Sequence, residues 1–358
     1  MAHMIDNSNA QGRAAFARLA GTEQAWHGLG QTFDHDATLA EMLAASCVDF
    51  EVLKVPNYHY FNGELVMSDD FALVRHDTGH KFANCSGKYE PVQPKTIVKF
   101  MHDLAKKYDL KIETIGALDK GERVWCLAKL GESFTLAGGD RVEGYALICT
   151  SNDKTMATRI MFTTIRVVCN NTLTMALGNK NFLSIPHSTE FNPDQVEIDL
   201  GLVHSSFDAM KDKAELLSHR AVNSDLALKT LIALFEKKGA DENKISTRNM
   251  NIITGVANKF INGTGIGMDM PSAKGTAWGL LNAITEYTDH DYGRNADNRF
   301  KAAQFGANGD LKEKALAYIL KVTDDGQEVY EMEEIEQEYI PSKPQTSLLD
   351  SLISNTKL

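Results

Sequence analysis

The sequence predicts an α+β protein, with an antiparallel β-meander domain flanked by helices, then a helical domain and an acidic flexible tail. Apolar residues alternate with period two in several stretches before residue 165, whereas helical spacing dominates after residue 195. Strands first and helices later are typical of α+β folds. We place an N-terminal arm at 1–19, the sheet domain at 20–185, the helical domain at 195–322 and the tail at 323–358.

The N-terminal third is predicted as short helices followed by a hairpin. Ala14–Leu19 and Leu39–Ala45 fit short helices, and Phe50–Val55 reads as a strand. Two further apolar runs, 58–61 and 64–67, flank Asn62-Gly63, which is the strongest short signal for a tight hairpin turn.

The central part is predicted as a helix, four antiparallel strands and a second helix. Pro94 suits the first turn of a helix, and apolar residues follow it at helical spacing. The strands form two predicted hairpins, 111–118 with 123–130 and 141–150 with 156–163. After Thr164 the apolar spacing becomes helical, so the second helix is expected there.

The last third is predicted as helices and a tail. The helices are expected at Val203–Ala221, Asp225–Lys238, Ser246–Ile261, Ser272–Tyr287 and Leu311–Leu320. Ser224 and Ser272 stand where helix N-caps belong. The tail ends in an apolar patch at residues 348–353, which either docks on a partner or packs back on its own domain.

Composition and charge exclude several classes. Hydrophobic residues make up 43% and charged residues 24%, which is typical of globular proteins rather than of collagen-like or disordered chains. No apolar run approaches membrane-spanning length, and the polar start lacks a signal core, so we expect no membrane association and a cytoplasmic protein. The five cysteines show no zinc-type spacing, so we expect them reduced, with no metal or other cofactor.

The net charge is −11, and from Lys321 onward three lysines against nine acidic residues give −6. A strongly basic body would have indicated a nucleic-acid partner, whereas this mildly acidic one argues against broad non-specific DNA binding. It leaves room for a local basic groove.

No catalytic signature is recognised, so whether the chain is an enzyme stays open, with the balance against it and no catalytic residue assigned. The glycine-rich stretch 263–267 followed by Lys274 resembles a phosphate loop but lacks the Gly-Lys-Ser/Thr order of one. Glu286, Asp289 and His290 carry ligand-type side chains close together. With Lys274 they are the centre of a third hypothesis, a metal- or nucleotide-dependent enzyme, which we rank last.

Basic residues around the predicted meander form the candidate nucleic-acid site. The basic members are Arg123, Lys129, Lys154, Arg159 and Arg166, and Asn170 and Asn171 lie beside them. Such side chains can contact phosphates and bases, with Tyr89, Trp125 or Tyr145 available for stacking. The alternative is an ordinary solvated sheet face held by salt bridges.

Four stretches together resemble the phage/plasmid-like protein family, a domain of unknown function carried by bacteriophages, prophages and plasmids. They are Trp26–Gly30, Tyr89–Gln93, Arg166–Leu173 and Gly275–His290. The resemblance covers about residues 20–320. It implies a protein made by a mobile element in the cytoplasm of a bacterial cell, and it supplies a genetic setting rather than a reaction.

The helix, meander and helix order is also that of phage single-strand annealing proteins, an analogy at the level of fold. The first hypothesis is therefore a single-stranded DNA-binding protein in recombination or replication, possibly in strand annealing, acting as a homo-oligomer. The alternative is an acidic interaction protein that inhibits a host defence or replication factor, with the tail as the site for a host or phage protein.

Overall fold

The computed structural model describes residues 5–22, 30–166, 168, 171–175, 183–185, 187, 203–235, 245–292 and 307–324. The chain divides into two compact units, each built from three stretches. The first is Met1–Glu132, Glu143–Thr163 and Met175–Phe207, and the second is Ser133–Val142, Thr164–Thr174 and Asp208–Leu358. The four-part domain division expected from the sequence stays a prediction, and the acidic tail lies outside the described residues from residue 325 onward.

The fold is α+β, as predicted. The strands are β1 (Phe16–Leu19), β2 (Gln31–Phe33), β3 (Val52–Phe61), β4 (Glu64–Arg75), β5 (Lys81–Cys85), β6 (Lys111–Leu118), β7 (Arg123–Leu136), β8 (Asp140–Ser151), β9 (Thr158–Arg166), β10 (Asn171–Met175) and β11 (Leu183–Ile185). The larger sheet has the order β10-β9-β8-β7-β6-β1-β2, with β11 paired to β9. The β6–β7 hairpin is antiparallel, with Leu118 opposite Arg123, whereas β1 and β2 run parallel.

The strand β1 replaces the helix expected at Ala14–Leu19. It pairs with both β2 and β6, and Phe16 and Ala17 are fully buried. Pairing on both edges satisfies the backbone of β1 inside the sheet, which outweighs a weak helical pattern six residues long. The next segment is helical as predicted, because Thr38 and Glu41 form a reciprocal capping box at the start of α1 (Leu39–Ser46).

The smaller sheet has the order β3-β4-β5, and its β3–β4 hairpin turns at Asn62-Gly63 as predicted. Both residues have positive φ, 50° and 84°, which is the requirement of a two-residue turn that matches strand twist. Residues 71–74 of β4 pair with β5, so this part of the sheet has three strands.

The predicted helix at Pro94 is confirmed as α2 (Pro94–Tyr108). Ile97, Val98 and Met101 are fully buried on its apolar face. Proline suits this first turn because its missing N–H has no intrahelical partner there.

The predicted helix after Thr164 is wrong. β9 continues through Arg166, and β10 begins at Asn171. The segment is rich in β-branched residues, which pack well on a pleated sheet. Pairing of β9 with β8 and of β10 with β9 therefore outweighs the short helical spacing of its apolar residues.

The described residues from 203 onward hold five α-helices. They are α3 (Val203–His219), α4 (Ser224–Phe235), α5 (Thr247–Ile261), α6 (Ala277–Glu286) and α7 (Ala307–Val322). A π-helical turn, Tyr287–Asp291, follows α6 directly. None of the helices in the described part of the chain combines the length and apolarity needed to cross a bilayer.

Two predicted helix caps are wrong by a few residues. The Asn223 side chain accepts a hydrogen bond from Leu226 N, so the cap of α4 precedes Ser224. Thr276 caps α6 by accepting from Gly279 N, whereas Ser272 donates to the buried carboxylate of Asp140 at 2.6 Å. Trp278 Nε1 donates to the same carboxylate oxygen at 3.1 Å, so Asp140 binds two donors from the chain around α6.

Candidate nucleic-acid interface

The β8–β9 turn is the part of the predicted basic site that the structure defines best. Asn152 anchors it, because its backbone N–H and its side chain donate to Glu122 O and Gly121 O, both at 2.7 Å. Asp153 Oδ1 accepts hydrogen bonds from the backbone N–H and the hydroxyl of Thr155. These bonds fix the turn on either side of Lys154.

Lys154 is exposed and has a φ of +65°. Its ammonium donates to Asn84 O at 2.8 Å and lies 5.6 Å from the centre of the Tyr89 ring. A cation at this distance from an aromatic face is attracted by the ring quadrupole. The structure therefore brings together one predicted phosphate contact and one predicted stacking residue.

The Tyr89 side chain is held in place by His187. The Tyr89 hydroxyl lies 2.5 Å from His187 Nδ1, and His187 Nε2 lies 3.4 Å from the hydroxyls of both Thr150 and Thr158. Burial lowers the pKa of His187 and raises that of Tyr89, which keeps both side chains neutral near pH 7. Tyr89 is thus a positioned ring rather than a mobile one.

Lys54 contacts the backbone of the same segment, with its ammonium 5.8 Å from the centre of the Phe71 ring, and sequence reasoning missed it. Its ammonium donates to the carbonyls of Gly87 and Tyr89 at 3.1 and 3.0 Å and to Glu90 at 3.0 Å. These partners lie 33 to 36 residues further along the chain, so no local pattern could reveal the contact. His187 was missed for the same reason, being 98 residues from Tyr89.

Arg123 reaches the same turn. Its guanidinium donates to Thr155 Oγ1 at 2.8 Å and pairs with Asp119 and Asp153, both at 3.4 Å. The two carboxylates offset the charge of Arg123, so this side chain stabilises the β8–β9 turn.

Lys129 contacts a different set of residues. Its ammonium pairs with Glu143 at 2.5 Å, and burial raises the pKa of the nearby Glu113. Both Lys129 and Arg123 pair with carboxylates. Their geometry therefore fits the alternative of a sheet face held by salt bridges better than it fits a nucleic-acid site.

Of the remaining predicted site residues, Arg159 and Arg166 lie on β9 and Asn171 lies on β10. Arg159 is half-buried on β9 and stands opposite Ser184 of β11. Arg166 ends β9 and Asn171 opens β10, but their side chains, and all of Asn170, lie outside what the structure describes.

The residues proposed for a metal- or nucleotide-dependent enzyme, the third hypothesis, each bind different partners and do not form one site. Glu286 accepts from Lys259 Nζ and from Ile266 N, at 2.7 and 3.0 Å. Asp289 pairs with Lys312 at 2.8 Å. Lys274 is exposed, and in the described residues no three His, Cys, Asp or Glu side chains come together as a metal site.

The chain belongs to the family described as a domain of unknown function (DUF932), which matches residues 81–308, well over half of its length. Neither a curated protein nor a solved structure matches it significantly. The family match spans the β8–β9 turn, Tyr89 and α6.

Proposed function

We propose that this chain binds single-stranded nucleic acid at the β8–β9 turn, next to Tyr89. The observation that carries this is Lys154, an exposed lysine in the left-handed region of backbone space. That conformation costs about 1–2 kcal/mol for an ordinary L-residue and is tolerated best by Gly, Asn and Asp. Strain of this kind occurs in turns and clusters at functional sites, and here it aims an ammonium over an aromatic ring.

The arrangement supports a defined mode of contact. The Lys154 ammonium is held by a carbonyl rather than by a carboxylate, so its charge is available to a phosphate. When it moves to a phosphate, one face of Tyr89 becomes open to a base. Stacking of that kind is worth about 1–3 kcal/mol per base. Lys54 pairs with Glu90 and holds the backbone of the Tyr89 segment, and Arg123 holds the turn in place.

The resemblance to phage and plasmid proteins supplies the setting of this proposal. Under this proposal a mobile element encodes the chain, which works in the cytoplasm of a bacterial host. There it takes part in recombination or replication by annealing single strands. Annealing requires several copies on one strand, so the proposal includes a homo-oligomer.

Fluorescence anisotropy with a labelled single-stranded oligonucleotide tests the proposal. Lys154→Ala should weaken binding several-fold at about 50 mM salt and reduce the salt slope by about one, because one phosphate contact is lost. Lys95→Ala removes an equal charge from an exposed position at the start of α2 and should have little effect. Absence of binding at about 50 mM salt, or equal losses in both variants, refutes the proposal.

A second candidate is an acidic interaction protein that inhibits a host defence or replication factor. It is favoured by the net charge of −11 and by the carboxylate partners of Arg123 and Lys129. A pull-down from host lysate with the full chain and with a chain lacking residues 324–358 tests it. A host protein retained only by the full chain supports it, and retention of none by either form removes it.

A further inference from the structure

Three polar side chains of the smaller sheet form a hydrogen-bonded row that adjoins Lys154. Lys81 Nζ donates to Asn57 Oδ1 at 3.4 Å, and Asn57 Nδ2 donates to Asn84 Oδ1 at 3.1 Å. The backbone carbonyl of Asn84 accepts the hydrogen bond from Lys154 Nζ. The polar row, defined as Lys81, Asn57 and Asn84, is therefore joined to the proposed nucleic-acid site through Asn84.

Two irregularities in the strand pairing accompany the polar row. In a regular strand, side chains that are three residues apart project from opposite faces, so Lys81 and Asn84 would not share a partner. The β4–β5 register shifts by one residue at Phe82, which lies between them. Asn57 lies within the second irregularity, in β3. Because bulges re-aim side chains and are over-represented beside functional sites, both departures from regular pairing indicate a built arrangement.

The lysines beside the two asparagines have neutral partners. Lys81 donates to an amide oxygen and Lys154 to a carbonyl oxygen, and in the described part of the chain neither lysine pairs with a carboxylate. Lys54 and Arg123 differ in this respect, because both form ion pairs. Both Lys81 and Lys154 are also exposed. Their charges are therefore available to phosphates, which lysine side chains commonly contact.

The length of the polar row matches a short stretch of single strand. Asn84 follows Lys81 by three residues on β5, a distance of about 10 Å at the usual rise of a strand. Nucleotides that are stacked as in B-DNA rise about 3.4 Å each, so about three of them cover this distance. Asparagine amides between two lysines are suited to such a ligand, because amides read base edges while lysines contact phosphates.

We infer that the single strand stacked on Tyr89 continues across the smaller sheet, where Asn84 contacts a base and Lys81 binds a second phosphate. This inference rests on the proposed function and extends it from one phosphate and one base to a segment of about three nucleotides. Asn84 Oδ1 accepts from Asn57, so the amide nitrogen of Asn84 is the group that donates to an acceptor on the base edge. Asn57 fixes the orientation of that amide and positions the Lys81 ammonium.

Anisotropy titrations of labelled oligo(dT) at several salt concentrations distinguish the phosphate contact from the base contact. Lys81→Ala should weaken binding several-fold at about 50 mM salt and reduce the salt slope by about one, because one phosphate contact is lost. Asn84→Ala should weaken binding but leave the salt slope unchanged, since the amide carries no charge. Asn251→Ala, at an exposed position of α5, should change neither quantity.

Failure of this inference and failure of the proposed function give different results. If the wild-type chain does not bind oligo(dT) at about 50 mM salt, both are overturned. If the wild-type chain binds and Lys154→Ala weakens binding, but Lys81→Ala leaves the affinity and the salt slope unchanged, the inference alone is overturned. Combining Lys81→Ala with Lys154→Ala should reduce the salt slope by about two, because two separate phosphate contacts are then lost.

Lysine acetylation of the wild-type chain gives a second test that needs no variant. With saturating oligo(dT), the acetylation rates of Lys81 and Lys154, measured by mass spectrometry, should fall several-fold relative to the free chain, because bound phosphates cover both ammonium groups. The exposed Lys95 at the start of α2 is the control, and its acetylation rate should not change. Protection of Lys154 without protection of Lys81 overturns the inference and leaves the proposed function standing.

Discussion

The Tyr89 hydroxyl and His187 Nδ1 lie 2.5 Å apart and join two segments separated by 98 residues. His187 also binds the sheet through Thr150 and Thr158, and its carbonyl accepts a hydrogen bond from Glu90 N at 2.7 Å. The His187 imidazole therefore fixes the position of the Tyr89 ring, over which the Lys154 ammonium lies.

Protonation of His187 should destabilise this contact. Burial places the folded-state pKa of His187 below its ordinary value of 6.5, so the unfolded state binds the proton more readily. The contribution to stability is complete above pH 6.5 and is lost as the pH falls from there through the folded pKa. Urea unfolding at pH 7.5 and pH 5.5 should show a smaller loss for His187→Gln than for the wild type. His59→Gln, at an exposed position, should match the wild type, and an equal loss in all three chains contradicts the prediction.

Lys154→Gly should separate stability from binding. Glycine adopts a φ of +65° without the Cβ penalty, so the free energy of unfolding should rise by up to about 1 kcal/mol. Oligonucleotide affinity should fall as much as in Lys154→Ala, because both variants lack the ammonium. Thermal denaturation and anisotropy on the same samples measure the two effects, and a glycine variant less stable than the alanine variant would show that the backbone is not strained.

Gly279→Ala should destabilise the helical unit by at least about 1–3 kcal/mol through overpacking. A Cβ atom at this position would lie 1.8 Å from Ala273 O, a backbone atom that cannot move aside without breaking the turn before α6. Gly87→Ala is the comparison, because its Cβ would meet Phe71 at an ordinary 3.5 Å. Similar melting temperatures for the two variants would contradict the close approach.

Lys312→Met should cost about 3–5 kcal/mol, since it leaves the Asp289 carboxylate buried without its partner. The two side chains are only 2% and 7% exposed and their charged atoms are 2.8 Å apart. Adding Asp289→Asn should recover part of the loss, because no net charge is then buried. Denaturant unfolding of both single variants and the double variant closes this cycle, and strictly additive losses would show that the pair is not coupled.

Features coded by neighbouring residues could be predicted from the sequence. The turn at Asn62-Gly63 and the helix start at Pro94 depend on local backbone preferences, and both are confirmed. The segment after Thr164 was misassigned because a short apolar spacing fits a helix or a strand, and pairing beside β8 decided the outcome.

The candidate site was only partly predictable, because the sequence shows which side chains are charged but not which side chains they contact in the fold. Lys154 and Tyr89 were both named, but nothing local indicates that they meet. Arg123 was named as a phosphate contact, whereas Asp153, 30 residues later, occupies it. The exposure of the β3–β4 hairpin was equally hidden, since its alternation of residues resembles that of any half-buried hairpin.

The carboxylate of Asp140 has a consequence for how the chain is made. It is buried at the start of β8, and its donor Trp278 follows 138 residues later. A ribosome adding about 5–20 residues per second needs roughly 7–28 s to cover that distance. The two hydrogen bonds that Asp140 accepts from Ser272 and Trp278 therefore form only after α6 has been synthesised.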